Sequence, residues 1–500
     1  MAARQLAYPS EAVPPPPPKA GEQKLIMRPE KARFVDILSL MLLRKPVTSY
    51  PFVDAGDQTA ATGITPGDLL VALTQLIQKL LDATYYPAKW IGAALEFLLN
   101  FITLNGGLLG IIWNIITRKL MVPLNRDVPN FLTMVALVDG RTELKQNPTA
   151  AAVNMLNLQV GSHEWQRLLE VTVMAAKIAY ENAAYIENVV SNVWKFNFVG
   201  HYNCWNKFLQ LDATQAFVAT DRAKNADMVL VSFRGTQVFD TQDWSTDVNL
   251  SWIGLGDMGH VHIGFLKALG LQEEGGQDAE RAFPRNAPAD EVPSGKIVAY
   301  YELRKVVREQ LLKHPRARVV VTGHSLGGAL AVLFPAVLAL HEERDILGRL
   351  AAVHTYGQPR VGNDAFAEFF RARVAAAKDY LRVVYRYDVV PRVPFDAPPV
   401  AEFSHGGTCV YYDGWYDGRV LAGDVPNPNY FDSRYALSMY GNALGDLVKA
   451  MFLWVKAGRD YREGAVSLHF RATGLLVPGV ASHSPHDYVN AVRLGRIALN

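Results

Sequence analysis

The chain reads Arg318-Val319-Val320-Val321-Thr322-Gly323-His324-Ser325-Leu326-Gly327-Gly328 and continues as ALAVLFPAVLAL to Leu340. The β-branched run before Gly323 predicts a buried strand, and the apolar run after Gly328 predicts a buried helix. Between them stands a Gly-x-Ser-x-Gly pentad, in the strand-turn-helix setting that such a pentad needs before it means chemistry. Read alone, the pentad is weak and a structural glycine turn fits it equally well. Flanked by three valines and an apolar helix, it is specific. Ser325 must occupy a strained turn, so the residues two places either side have to be tiny, or the strand and helix backbones would collide. The helix then directs its positive end at the site, and the Leu326 backbone N–H is placed to donate to an oxyanion.

A serine hydroxyl attacks poorly unless a base takes its proton, and that base needs a carboxylate to orient it. With this kind of elbow the chain order is Ser, then Asp or Glu, then His, so the partners are sought downstream of Ser325. Asp388 follows the strand-like run YLRVVYRY and precedes Val389-Val390-Pro391. That puts it at a strand's carboxyl end, on the edge where Ser325 emerges. The histidines beyond it are His405, His469, His483 and His486. His469 lies in the strand-like VSLHF and reads as filling, whereas His483 and His486 share the late loop PGVASHSPHDYVN. Spacing does not choose between those two.

Outward from this centre, DATQAFVATD, ADMVLVSFRGT, ARVVVTGHS, LAAVHTYG and YLRVVYRYD are short β-rich runs separated by helical stretches, which predicts a mostly parallel sheet flanked by helices. Residues 163–190 carry helical spacing at Leu168, Ala175, Ile178 and Ile186. The stretch 271–295 is polar and rich in Gly and Pro, and reads as a surface insertion. The chain divides as 1–60, an extended tail and leader holding the proline run Pro14–Pro18; 61–160, helical and apolar; and 161–500, the catalytic part.

The middle region has its own pattern. Thr65, Pro66 and Asp68 are helix-start signals, Leu69, Leu73, Leu76 and Leu80 share a face, and Pro87 is expected just past the helix end. From Phe97 to Thr117 there is no charged residue, about the length of a bilayer core. However, Asn105-Gly106-Gly107 falls in the middle, and each half alone is too short to span. A monotopic insertion is the favoured reading, with Trp90, Trp113, Lys89, Arg118 and Lys119 as interfacial anchors; a span and a buried core helix are the alternatives.

Bulk composition excludes other classes. With 50 basic and 48 acidic residues the net charge of +2 offers nothing to nucleic acid. Cys204 and Cys409, the only cysteines, build neither a disulfide framework nor a metal site. The N-terminal segment lacks the apolar core of a secretory signal.

Several ordered blocks, VSFRGT, DWSTDVN, VHIGF, VTGHSLGGALA, TYGQPRVGNDAF, YRYDVVPRVP and ASHSPHDY, together resemble the class 3, fungal-lipase-like lipases over roughly Asp212 to Asn490. The resemblance implies an α/β-hydrolase-type fold with Ser325 as nucleophile, Asp388 as acid and His483 as base, because the family histidine follows a small residue and precedes an aromatic by a few positions. It implies an oxyanion hole from Thr236 and Leu326, a lid over Val238–Leu250 with Trp244 and Val248 as apolar contacts, and no metal or organic cofactor. The N-terminal half is similar to that of plant oil-body lipases. Triacylglycerol is the implied substrate, and the cytosolic face of the lipid droplet, or another membrane surface, the implied location. Phospholipid or galactolipid hydrolysis is the nearest rival, and a non-catalytic lipase-like scaffold the rival of a different class.

Overall fold

The valine run forms the centre of a nine-stranded sheet whose strands stand side by side in the order in which the chain makes them. They are β1 (Asn197–Asn206), β2 (Leu211–Thr220), β3 (Met228–Phe233), β4 (Arg318–His324), β5 (Leu350–Tyr356), β6 (Asp379–Tyr385), β7 (Thr408–Tyr412), β8 (Asp417–Leu421) and β9 (Arg496–Ala498). In this computed structural model the described residues are 24–42, 45–55, 65–145, 161–274, 278–288, 292–375, 379–398, 401–421 and 423–498. Strands β3 to β7 are parallel, so their carboxyl ends share one edge. The flanking pairs β1–β2, β2–β3 and β7–β8 are antiparallel.

Alternation along β4 fills both sides of the sheet. Val319 and Val321 join a core that includes Phe334 and Leu338, while Val320 faces Trp165, Leu168 and Tyr488 on the other side. The helices used below are α1 (Pro66–Leu104), α2 (Gly107–Ile116), α3 (His163–Ile178), α4 (Thr241–Asp247), α5 (Leu326–Leu340), α6 (Ala436–Ala457), α7 (Ala465–Thr473) and α8 (Pro485–Leu494). The expected strands are present, and the helical spacing of 163–190 is met by two helices, His163–Ile178 and Ala183–Asn188, broken between them.

Four expectations are corrected. His469 lies in helix α7, not a strand: Ser467 and Arg471, one turn apart, both reach Glu463, a pairing that only helical spacing allows. Within the extended tail and leader expected over 1–60, Phe34–Met41 is an α-helix that buries Ile37 and Leu40, and Lys24–Met27 is a strand paired antiparallel with Trp252–Gly254. The proline run 14–18 lies outside the described residues. In the stretch 271–295, read as a surface insertion, Phe283 is fully buried against Tyr300 and His341; residues 275–277 and 289–291 lie outside the described ones. Pro87 sits inside α1 rather than beyond it. The missing N–H costs one hydrogen bond, but contacts on both sides carry the helix through: Gln78 reaches Ser245, and Gly92 lies against Phe239.

At Asn105 the chain breaks. Gly106 and Gly107 take φ of 75° and 88°, which a side chain would resist, and α2 leaves α1 at 69°. The asparagines inside the apolar stretch are satisfied by the returning backbone. Asn105 Nδ2 donates to Met121 O at 2.8 Å and its Oδ1 accepts from Met121 N at 3.1 Å; Asn100 makes the same pair of bonds with Leu132. Among the described residues no single helix is long and apolar enough to cross a membrane; α1 and α2 reach that length and composition only together, across the bend.

Candidate active site

Ser325 sits between β4 and α5 at φ 60° and ψ −134°, a strained backbone for a residue with a side chain. The crossing is tight because two glycines make room for it. A Cβ on Gly323 would come within 2.1 Å of Gly327 O, and one on Gly327 within 2.3 Å of Phe233 O. The sheet's carboxyl edge brings the other two residues to the same place. Three residues beyond β6, Asp388 is fully buried, and His483, in a 3₁₀ turn before α8, lies over it.

His483 Nδ1 is 2.7 Å from Asp388 Oδ2. Since a carboxylate only accepts, Nδ1 carries the proton and donates, which leaves Nε2 with its lone pair. That nitrogen and Ser325 Oγ are both buried without a hydrogen-bond partner, although a proton transfer would pass between them. Asp388 is saturated: besides His483, Tyr488 Oη donates to Oδ2 and Val390 N to Oδ1 at 2.8 Å. Burial, with the negative Asp388 adding to it, raises the Tyr488 hydroxyl well above its ordinary pKa, so it stays a donor.

His486, the competing histidine, points elsewhere. It is held between Asp139, at 3.3 Å, and Glu463, at 3.1 Å. Burial opposes its positive charge, but these carboxylates outweigh burial and raise its pKa. His405 Nε2 donates to the Pro391 carbonyl at 2.7 Å and takes no part in the site.

Thr236 follows β3 closely and is buried, its Oγ1 donating to Asp247 Oδ2 at 3.0 Å. Leu326 opens α5, so its N–H is among those a helix leaves unpaired within itself. Asp247 closes the short helix α4, inside the segment expected as a lid. From α4, Trp244 packs edge-on over the His483 ring, centroids 5.7 Å apart, and with Ser325 only 1% exposed the pocket is shut. Burial raises Asp247 well above the usual carboxylate range. Burial, then the like charge of Asp240, pushes Asp243 up to about 7 against the pull of Arg234.

Sequence reasoning missed three contacts here. Tyr488 was visible only as the aromatic after the histidine. Asp247 stands in DWSTDVN with nothing to mark its bond to Thr236. Tyr180, at the end of α3, pairs with His324 Nδ1 at 2.8 Å through a contact 144 residues apart in the chain. Among the described residues no group of three or more His, Cys, Asp or Glu is placed to hold a metal ion.

Comparison with known proteins points to one family. The family model described as Lipase (class 3) matches residues 230–397, a span that holds Ser325 and Asp388 and ends before His483. The triacylglycerol lipase OBL1 of Nicotiana tabacum is 37% identical over 89% of this chain and 86% of its own length. The proteins of the same name from Arabidopsis thaliana and Ricinus communis are 35% and 36% identical, covering 94% of this chain and 94% and 95% of theirs. Identity of this extent across nearly whole chains places the protein: it belongs to the class 3 lipase family.

Proposed function

We propose that the protein is a triacylglycerol lipase acting at the surface of lipid droplets. The observation that carries the reading is the buried His483–Asp388 pair, set beside a strained serine at a glycine-flanked elbow. His483 Nε2 takes the Ser325 proton as Oγ attacks the ester carbonyl, and the Asp388 carboxylate stabilises the resulting imidazolium. The Thr236 and Leu326 N–H groups hold the oxyanion, each worth about 3 kcal/mol in the transition state. His483 then returns the proton to the departing glycerol oxygen, and water activated by the same histidine releases the fatty acid. No step calls for a metal or an organic cofactor.

Residues 61–160 hold the enzyme on the droplet and residues 161–500 carry the chemistry. The α1–α2 break and the return of the chain along α1 favour a hairpin in a single lipid leaflet, which leaves both ends on the cytosolic side. Trp90 and Trp113, both well exposed, are its interfacial anchors, with Lys89, Arg118 and Lys119. Fatty-acid release from emulsified triolein and from phosphatidylcholine vesicles, with Ser325→Ala as control, tests the reading. Triolein hydrolysis falling at least about 10⁴-fold in the variant is expected. Equal rates in parent and variant would leave a lipid-binding scaffold, and release from vesicles alone would leave a phospholipase.

A further inference from the structure

Helix α6 is built inside out. Its charged residues between Ala436 and Val455 are Asp446 and Lys449, and both are buried. Asp446 accepts from Tyr385 Oη at 2.9 Å and pairs with Arg386, while Lys449 Nζ donates to Gly414 O at 2.7 Å. The opposite face carries Leu437, Leu444, Val448, Phe452 and Val455, which are 49–87% exposed. Among the described residues nothing covers them. A surface helix in water has the reverse arrangement, because each exposed apolar side chain forgoes the gain of burial.

Its position says what lies outside. Tyr385 ends β6 and Gly414 lies in the turn after β7, so α6 runs along the carboxyl edge of the parallel strands, the edge that holds Ser325, Asp388 and His483. Its first turn reaches Tyr387, next to Asp388, through Ser438 at 3.3 Å. Leu476, Val477 and Val480 are also exposed, in the loop that leads to His483. Helix α4 covers His483 through Trp244, and α1 reaches α4 through Gln78. With 22 residues α6 is about 33 Å long, and it is not apolar enough to span a membrane.

We propose that the outward face of α6 is a second lipid-contact surface, separate from α1–α2, that seats on the phospholipid-coated oil beside the catalytic mouth and holds the mouth against it. This rests on the reading of the protein as a lipase working at a lipid surface. Lipid is the occupant the position favours, since a protein seated here would stand over the opening that an ester must enter. Two contacts on either side of the mouth fix its orientation, which a single hairpin anchor leaves free to swivel. Lys456, Arg459 and Arg462, exposed past the end of the apolar run, suit the headgroup level.

The test uses the full chain, whose own cysteines are both buried, on triolein droplets coated with phosphatidylcholine. An environment-sensitive fluorophore on Val448→Cys is expected to shift to the blue on droplet binding and to be quenched by brominated acyl chains. The same label on Leu312→Cys, exposed at the opposite edge of the sheet, is expected to do neither. The triple variant Leu444→Ser, Val448→Ser, Phe452→Ser is expected to lose about ten-fold in triolein hydrolysis while keeping the parent's rate on a dissolved short-chain ester. A silent label at 448 on droplet-bound protein overturns the proposal, and so does a triple variant as fast as the parent on droplets. If in sedimentation the triple variant is a monomer where the parent is a dimer, with droplet activity unchanged, the face belongs to a second copy. A parent inactive on triolein defeats the lipase reading alone, because the label at 448 still reports whether α6 touches lipid.

Discussion

Asp388 is charged to orient one imidazole, yet three donors converge on it, and that surplus sets what each is worth. Tyr488 shares Oδ2 with His483, while Val390 holds Oδ1. A hydrogen bond to a charged group contributes about 1.5–3 kcal/mol. Tyr488→Phe keeps the packing of the ring and removes one donor, so it is expected to lower kcat on triolein by about 10-fold, toward the low end of that range because two donors remain. KM should barely move, while the unfolding midpoint falls slightly because the buried carboxylate loses one donor. An equal loss through KM alone would show that Tyr488 shapes the pocket and does not steady the acid.

In α4, the helix within the segment expected as a lid, the ionisable groups stand against the charge that solvent would favour. Asp243 and Asp247 both have raised pKa values, from burial first and from neighbouring carboxylates second. An acid whose pKa is raised in the closed lid holds its proton more tightly there than when the lid is open. Closure is therefore at full strength below the ordinary carboxylate range, and it weakens as pH climbs from about 4 to about 7. Amide exchange in residues 241–247, corrected for its intrinsic pH dependence, should quicken across that window, and Asp243→Asn should flatten the slope. Protection that increases with pH would contradict this account of the lid.

Across the whole molecule, the region assigned to lipid and the region assigned to chemistry are joined. Gln78 of α1 donates to the Ser245 carbonyl of the lid helix at 2.9 Å, and Gly92 lets the same helix close on Phe239. With α1 seated on lipid as proposed, its displacement would pull on α4, which packs over His483 through Trp244. Gln78→Leu leaves a buried carbonyl unpaired only while the lid is shut, at a cost of about 1 kcal/mol. Hydrolysis of a dissolved short-chain ester, which needs the lid open without help from lipid, is expected to rise about five-fold. No change would mean that α1 does not hold the lid.

How much of this was readable from the chain follows from the range of the forces involved. The elbow was legible because strand, turn and helix are adjacent in sequence and the two glycines answer a collision within five residues. The break at Asn105-Gly106-Gly107 was legible for the same local reason. Ordered motifs singled out Asp388 and His483, although spacing alone left His486 equal to His483. The fold separates them by geometry, sending His486 to Asp139 and Glu463 while His483 meets Asp388. Tertiary contacts likewise carried α1 through Pro87, buried Phe283 in what reads as a polar insertion, and drew the first described strand into a small sheet with Trp252–Gly254. The apolar face of α6 escaped because its pattern of leucines and buried charges reads the same whichever side faces inward. The sequence by itself determined the glycine-flanked elbow at Ser325, the parallel sheet and the apolar insert, all consequences of local periodicity and sterics. Which histidine lies against Asp388, which face of α6 turns outward and what α4 packs on were decided by the tertiary structure, because each depends on contacts between residues tens to hundreds of positions apart.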